Sequence, residues 1–221
     1  MKKLYLSFLV LFSSAAVFAQ GGFFSLSNDF SVLRNFSPNQ QFWSVGHTVQ
    51  GNFHLSDKYG PYVWLSYYSP GRFENDFTAQ AKQPSTTPQA VRYRVAAKWN
   101  FRSVSVGWKH YFRGGATNDS TWSLYALAGF GLQFTRVQNA FTPEVDTALY
   151  DVQPPISGLD GFKRLTLDLG AGVEYPLGGD IYLYGDLRTW LPTSGYPSPY
   201  LHDTRKVPLP LILAGGVRIM F

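Results

Sequence analysis

Asp168, Glu174, Asp186, Arg188 and Arg218 are the residues best suited by type and spacing to act on charge inside a protein. Each has an aliphatic residue on at least one side, in runs of period two, so an extended chain would carry all five on one polar face. Carboxylates and guanidinium groups gathered there could form a proton or ion pathway, or a buried acid–base pair. They could equally fill and neutralise a narrow interior, because charges in low dielectric must be paired. Three acids against two arginines nearly balance, which favours the second use.

Other candidates are weaker. The histidines are His47, His54, His110 and His202. His202-Asp203 with Ser194 or Ser198 has the composition of a nucleophile–base–acid set. Five prolines between Pro192 and Pro210 point instead to a stiff loop, and no enzymatic activity is expected. Glu144, Asp146, Asp151 and Asp160 could hold a divalent cation, but their spacing fits no calcium-binding loop, so a solvated acidic segment is expected. No cofactor is implied. His110, between Trp108 and Phe112, reads as an amphipathic residue of a membrane interface, and Trp43, Trp64, Trp99, Trp108, Trp122 and Trp190 read as interface girdles.

The elements that must carry these residues show period two. From Leu165 to Tyr175 the odd positions hold Leu, Leu, Leu, Ala, Val and Tyr, and the even ones Thr, Asp, Gly, Gly and Glu. That is a strand with one apolar and one polar face, long enough to cross a bilayer at a tilt. Gly178-Gly179-Asp180 is a tight turn. Ile181 to Leu191 and Leu209 to Phe221 repeat the rule, as do Trp43 to Leu55 and Trp122 to Arg136. Phe23 to Leu33 and Pro61 to Tyr68 complete the set.

Between Arg92 and Phe112 the apolar residues change parity. Tyr93, Val95, Ala97, Trp99 and Phe101 are odd; Val104, Val106, Trp108 and Phe112 are even. Either a turn or a β-bulge at Arg102-Ser103 would do this. Two strands there would make nine in all, whereas bacterial single-chain barrels have even numbers. One long bulged strand, and eight in total, is expected.

Composition agrees. Aromatic residues make up 17% of the chain and charged ones only 15%, well below a soluble domain's usual share. Yet mean hydropathy is −0.12 and no apolar run suits a membrane helix. No cysteine is present to staple a small exported protein. Met1-Lys2-Lys3, an apolar run from Leu4 to Phe12 and the small residues up to Val17-Phe18-Ala19 have the plan of a secretory signal peptide. Cleavage is expected after Ala19, leaving 20–221 as one barrel domain. Removing Lys2 and Lys3 lowers the formal net charge from +5 to +3, and no basic run suggests nucleic-acid binding. The leucine faces have no amphipathic helix to cover them, so they are expected to face lipid, with the charges inside.

At this point the chain resembles the small OmpA/OmpX-type outer-membrane β-barrels of Gram-negative bacteria. Their final strand has the form polar-x-Gly-x-x-apolar-x-aromatic. Here Gly216, Ile219 and Phe221 stand in register, with Ala214 at the polar position. The resemblance implies an all-β, eight-stranded antiparallel up-and-down transmembrane barrel with short periplasmic turns and long external loops. It also implies that this strand is read by the barrel-assembly machinery. Expected partners are outer-membrane lipid and lipopolysaccharide, and an envelope protein bound through the loops. The expected role is a structural or adhesive scaffold in the outer membrane. An outer-leaflet lipid- or peptide-modifying enzyme, or a narrow pore or ligand-binding barrel, is the alternative.

Overall fold

The computed structural model describes residues 24–193, 198–201 and 210–221, and the expected signal peptide lies outside them. Nine strands form one antiparallel sheet: β1 (Phe24–Asn35), β2 (Phe42–Phe53), β3 (Tyr59–Ala81), β4 (Ala90–Arg113), β5 (Ser123–Thr142), β6 (Tyr150–Asp151), β7 (Gly158–Gly178), β8 (Ile181–Pro192) and β9 (Pro210–Met220). Eight of them close a barrel. Each pairs with its neighbour in the chain, β5 passes to β7, β2 pairs β3, and β1 pairs β9 from Ser25↔Met220 to Asn35↔Pro210. The two-residue β6 only borders the outer end of β3, at Gln80 and Ala81. Closure leaves no lipid-exposed sheet edge, which a bilayer core demands.

The sheet is inside out relative to a soluble protein. Phe130 is 56% exposed and Leu213 64%, and Leu65, Leu165, Leu183 and Leu187 also point outward. Asp29, Lys109, Arg164, Asp168, Glu174, Asp186, Arg188 and Arg218 are buried in the lumen. Period-two alternation therefore does the sorting that a second layer would do in water.

β4 corrects the expectation of a bulge at Arg102-Ser103. The strand is single, and no irregularity interrupts it there: Arg102 faces Tyr67 and Phe134, and Ser103 faces Ser66 and Gln133. Odd residues from Tyr93 to Tyr111 point inward throughout. What changes is the surroundings. Below Ser103 the outside is apolar and the lumen polar; above it the outside is water and the inner face becomes the apolar one. The parity switch thus marks the external edge of the lipid band. The register shift sits instead in β3, between Tyr68 and Gly71, with a second in β4 between Tyr111 and Arg113.

The tryptophans also divide. Trp43, Trp108 and Trp122 face outward, as girdle residues should. Trp64, Trp99 and Trp190 are buried in the lumen, contrary to that reading. They lie on the inward parity of their strands, where bulk fills the bore: Tyr68 meets Trp190 edge-on at 5.4 Å, and Phe42 stacks on Phe101 at 5.8 Å.

Candidate functional site

Connections at the end holding Phe24 and Phe221 are short: 54–58, 114–122 and the turn at Gly179-Asp180 after Gly178. Gly178 and Gly179 both have positive φ (118° and 59°), which explains glycine at this hairpin. The opposite end is uneven. β3, β4, β5 and β7 run to 23, 24, 20 and 21 residues, whereas β1, β2, β8 and β9 have only 11 or 12. One wall therefore continues past the lipid band as a sheet, by about ten residues per strand or roughly 30 Å along them. It carries its own core, in which Tyr93, Val95 and Ala79 pack beneath Val145 and Tyr150 of the 143–157 connection. Its outer face is polar: Arg94 bonds Asp76 at 2.8 Å and Glu74 at 3.4 Å. That hydrogen bond holds the Asp76 carboxyl below the usual carboxylate range.

All five charged residues singled out in the sequence point into the lumen, but not as one group. Glu174 receives Lys109, Arg218 at 3.0 Å and the Tyr111 hydroxyl at 2.9 Å. Arg218 is wholly buried, lies 4.0 Å over the Tyr182 ring and donates to the Ala116 carbonyl at 2.8 Å. Nearer the middle, Arg188 bridges Asp186 and Asp29, the latter at 3.1 Å. Tyr184 donates to Asp29 at 3.1 Å, and Tyr125 donates to Asp186. Asp168 stands apart and accepts from Thr166 at 2.7 Å.

Asp29 and Lys109 are the ion-paired members that sequence reading missed, and the buried Arg164 was missed as well. Asp29 lies on the polar parity of a serine-rich strand, with Ser25, Ser27 and Ser31, and Lys109 on that of Ser103 and Ser105. Parity was the available signal in both. The eight buried charges of the described residues comprise four cations and four carboxylates. Below the external mouth, a cavity of only about 20 Å³ is lined by residues including Leu33, Phe42, Trp99, Phe101 and Trp190. That is room for about one water molecule. The bore is packed.

His202, Asp203 and Ser194 lie outside the described residues. The Ser198 hydroxyl is engaged as a donor to Asp160 at 2.8 Å. Among the described residues no group of three or more His, Asp or Glu side chains could hold a metal, so Glu144, Asp146, Asp151 and Asp160 are not gathered into one. His110 packs edge-on against Phe112 at 5.1 Å on the outward face.

In the final strand, Ile219 and Phe221 face outward, while Gly216 pairs with Asp29 of β1. A methyl group at Gly216 would run into the Asn28 carbonyl and lie against Asp29. Gly216→Val should therefore lower stability by about 1–3 kcal/mol and reduce the yield of folded barrel in detergent, without any assembly machinery present. Unchanged spontaneous refolding, followed by heat-modifiable gel mobility, would leave this glycine with no structural role in closure.

No family model matches the chain, and no curated protein matches it by sequence. Solved structures do align over most of its length. Neisserial surface protein A superposes with a TM-score of 0.53 at 14% identity, covering 90% of this chain and 97% of that one. The Ail attachment invasion locus protein of Yersinia pestis gives 0.48 at 12% identity, with 90% and 97% covered. The N-terminal β-barrel domain of Pseudomonas aeruginosa OprF gives 0.46 at 12%, with 89% and 97% covered. Closed by eight antiparallel strands, greasy outside and ion-paired within, the chain has the fold of the small outer-membrane β-barrels.

Proposed function

We propose that this protein is an outer-membrane scaffold that holds a protruding β-sheet above the external surface for a partner to bind. The carrying observation is the unequal strand length: β3, β4, β5 and β7 pass well beyond the lipid band and bury a separate small core there. A barrel whose task ended at the membrane would gain nothing from ordering those extra residues, each of which costs about 1–2 kcal/mol in backbone entropy. From Arg72 to Ala79, β3 pairs with β4 on one side, while on the other its pairing with β2 ends at Tyr68 and its pairing with β6 begins only at Gln80. That open edge offers backbone groups to an added strand.

Export by the segment 1–19, cleavage after Ala19 and recognition of Gly216, Ile219 and Phe221 by the assembly machinery belong to the same reading. The interior charges serve it as fillers that lock the bore.

A photoreactive side chain at Thr78, on the outer face of the sheet, should cross-link to an envelope or host-surface protein on intact cells. The same group at Val106, in the lipid band, should not. A Tyr93→Ser, Val95→Ser variant should lose the Thr78 adduct yet keep a heat-modifiable barrel, since those residues support only the protrusion. Steady single-channel conductance in planar bilayers would instead favour a pore. A lipid A modification lost in a His202→Ala, Asp203→Ala variant would favour an enzyme.

A further inference from the structure

Five cations stand together on the outward face where β3, β4, β5 and β7 leave the apolar band: Arg72, Lys98, Arg102, Arg136 and Lys163. Strand register sets their layout. One row across the sheet reads Tyr67, Arg102, Phe134, Lys163. The next row outward places Arg136 between Asn100 and Gly161, and beyond it Arg72 directly faces Lys98. With strands about 4.8 Å apart and rows about 6.7 Å apart, the Arg136 backbone lies about 8 Å from those of both Arg102 and Lys163. Three long side chains so placed can converge on one anion.

Among the described residues no carboxylate on this face answers them. Glu74 and Asp76 lie further out and are held by Arg94. Arg102 lies 5.5 Å from the Tyr67 ring and Lys163 5.7 Å from the Phe134 ring, the two aromatics of the innermost row. Like charges directly opposite across a sheet repel, so the Arg72–Lys98 pair favours an external counter-charge. Among the described residues, β8 and β9 carry no cation on their outward faces, where Leu187, Thr189, Leu211 and Leu213 stand. Arg34 of β1 is occupied by Gln41 at 3.2 Å and by the Trp43 ring at 5.0 Å.

We propose that Arg102, Arg136 and Lys163 bind a phosphate group carried by an outer-leaflet lipid, with Arg72 and Lys98 receiving a second anionic group of the head-group layer. Position selects a lipid-borne phosphate over a free one. The cations sit at the seam between water and hydrocarbon, and Phe134, Leu132 and Phe130 continue the same face into the band, where an acyl chain would lie. The lipid is held on one wall, directly beneath the protruding sheet, and so fixes the sheet's height above the membrane. This rests on the outer-membrane reading of the protein.

The test uses the full mature chain in phosphatidylcholine nanodiscs doped with lipid A, or with lipid A stripped of its phosphates, and native mass spectrometry to measure retained lipid. The wild type should retain phosphorylated lipid A in preference to the stripped form. An Arg102→Gln, Arg136→Gln, Lys163→Gln variant should retain it about a hundredfold less strongly, and Arg92→Gln, Arg94→Gln should match the wild type. Inorganic phosphate should not displace the lipid. Equal retention by the triple variant, indifference to the phosphates, or displacement by inorganic phosphate or a soluble sulfated polysaccharide would overturn the lipid site alone. A wild type that shows no heat-modifiable inserted form would overturn the membrane reading, and the site with it.

Discussion

Arg188→Met is expected to lower the stability of the folded barrel by about 3–5 kcal/mol, enough to leave much of the protein unfolded in mild denaturant. The guanidinium lies wholly within the lumen and bridges Asp29 and Asp186, both almost fully buried. It also lies 4.9 Å over the Trp64 ring. Methionine would fill similar space but leave two carboxylates facing each other without a cation. Tyr184 and Tyr125 could solvate them only in part. The cost arises from the stranded charges rather than from any large net value of the pairs themselves. A triple variant, Arg188→Met with Asp29→Asn and Asp186→Asn, should therefore recover most of the loss. The midpoint of urea unfolding in lipid vesicles, read by heat-modifiable mobility, checks both. A single variant costing under about 1 kcal/mol, or a triple no better than the single, would show that these groups do not lock the bore.

Two arginines placed on the same face of β4 should have opposite fates. Val106 points outward in mid-band, between Val63 and Phe130 of the adjacent strands. Val106→Arg puts a charge into hydrocarbon and should cost about 2–4 kcal/mol. Ala96 points the same way on the same strand, ten residues further along and beside Glu74. Ala96→Arg should lie within about 0.5 kcal/mol of the wild type, since that site is in water. The pair locates the membrane edge without reference to any ligand. Equal costs at both sites would mean that the change of apolar parity near Ser103 does not mark the end of the lipid band.

That parity change shows how far a sequence can be read. Alternation from Leu165 to Tyr175 announces a strand with one greasy and one polar side, because side chains flip sides at every residue whatever surrounds them. The glycine turn at Gly178-Gly179 and the even number of strands follow from equally local rules. So did the lumen-facing parity of Asp168, Glu174, Asp186, Arg188 and Arg218. The bulge assigned to Arg102-Ser103 failed because one local pattern has two causes. A kink reverses faces, and so does a change of solvent along a straight strand. Only the pairing of Arg102 with both Tyr67 and Phe134 separates them.

Partnership was beyond local reach. Tyr184 meets Asp29 across 155 positions of chain, and Lys109 meets Glu174 across 65. Each contact exists only once the sheet has closed on itself in a particular stagger. The same holds for the tryptophans, of which Trp64, Trp99 and Trp190 fill the bore while Trp43, Trp108 and Trp122 stand outside. The amino-acid order by itself determined a period of two, the polar faces and hence a barrel in lipid. Tertiary structure decided which charges pair, how one wall outgrows the other and where five cations gather, because these depend on register between strands far apart in the chain, and register is set by closure rather than by any short stretch of residues.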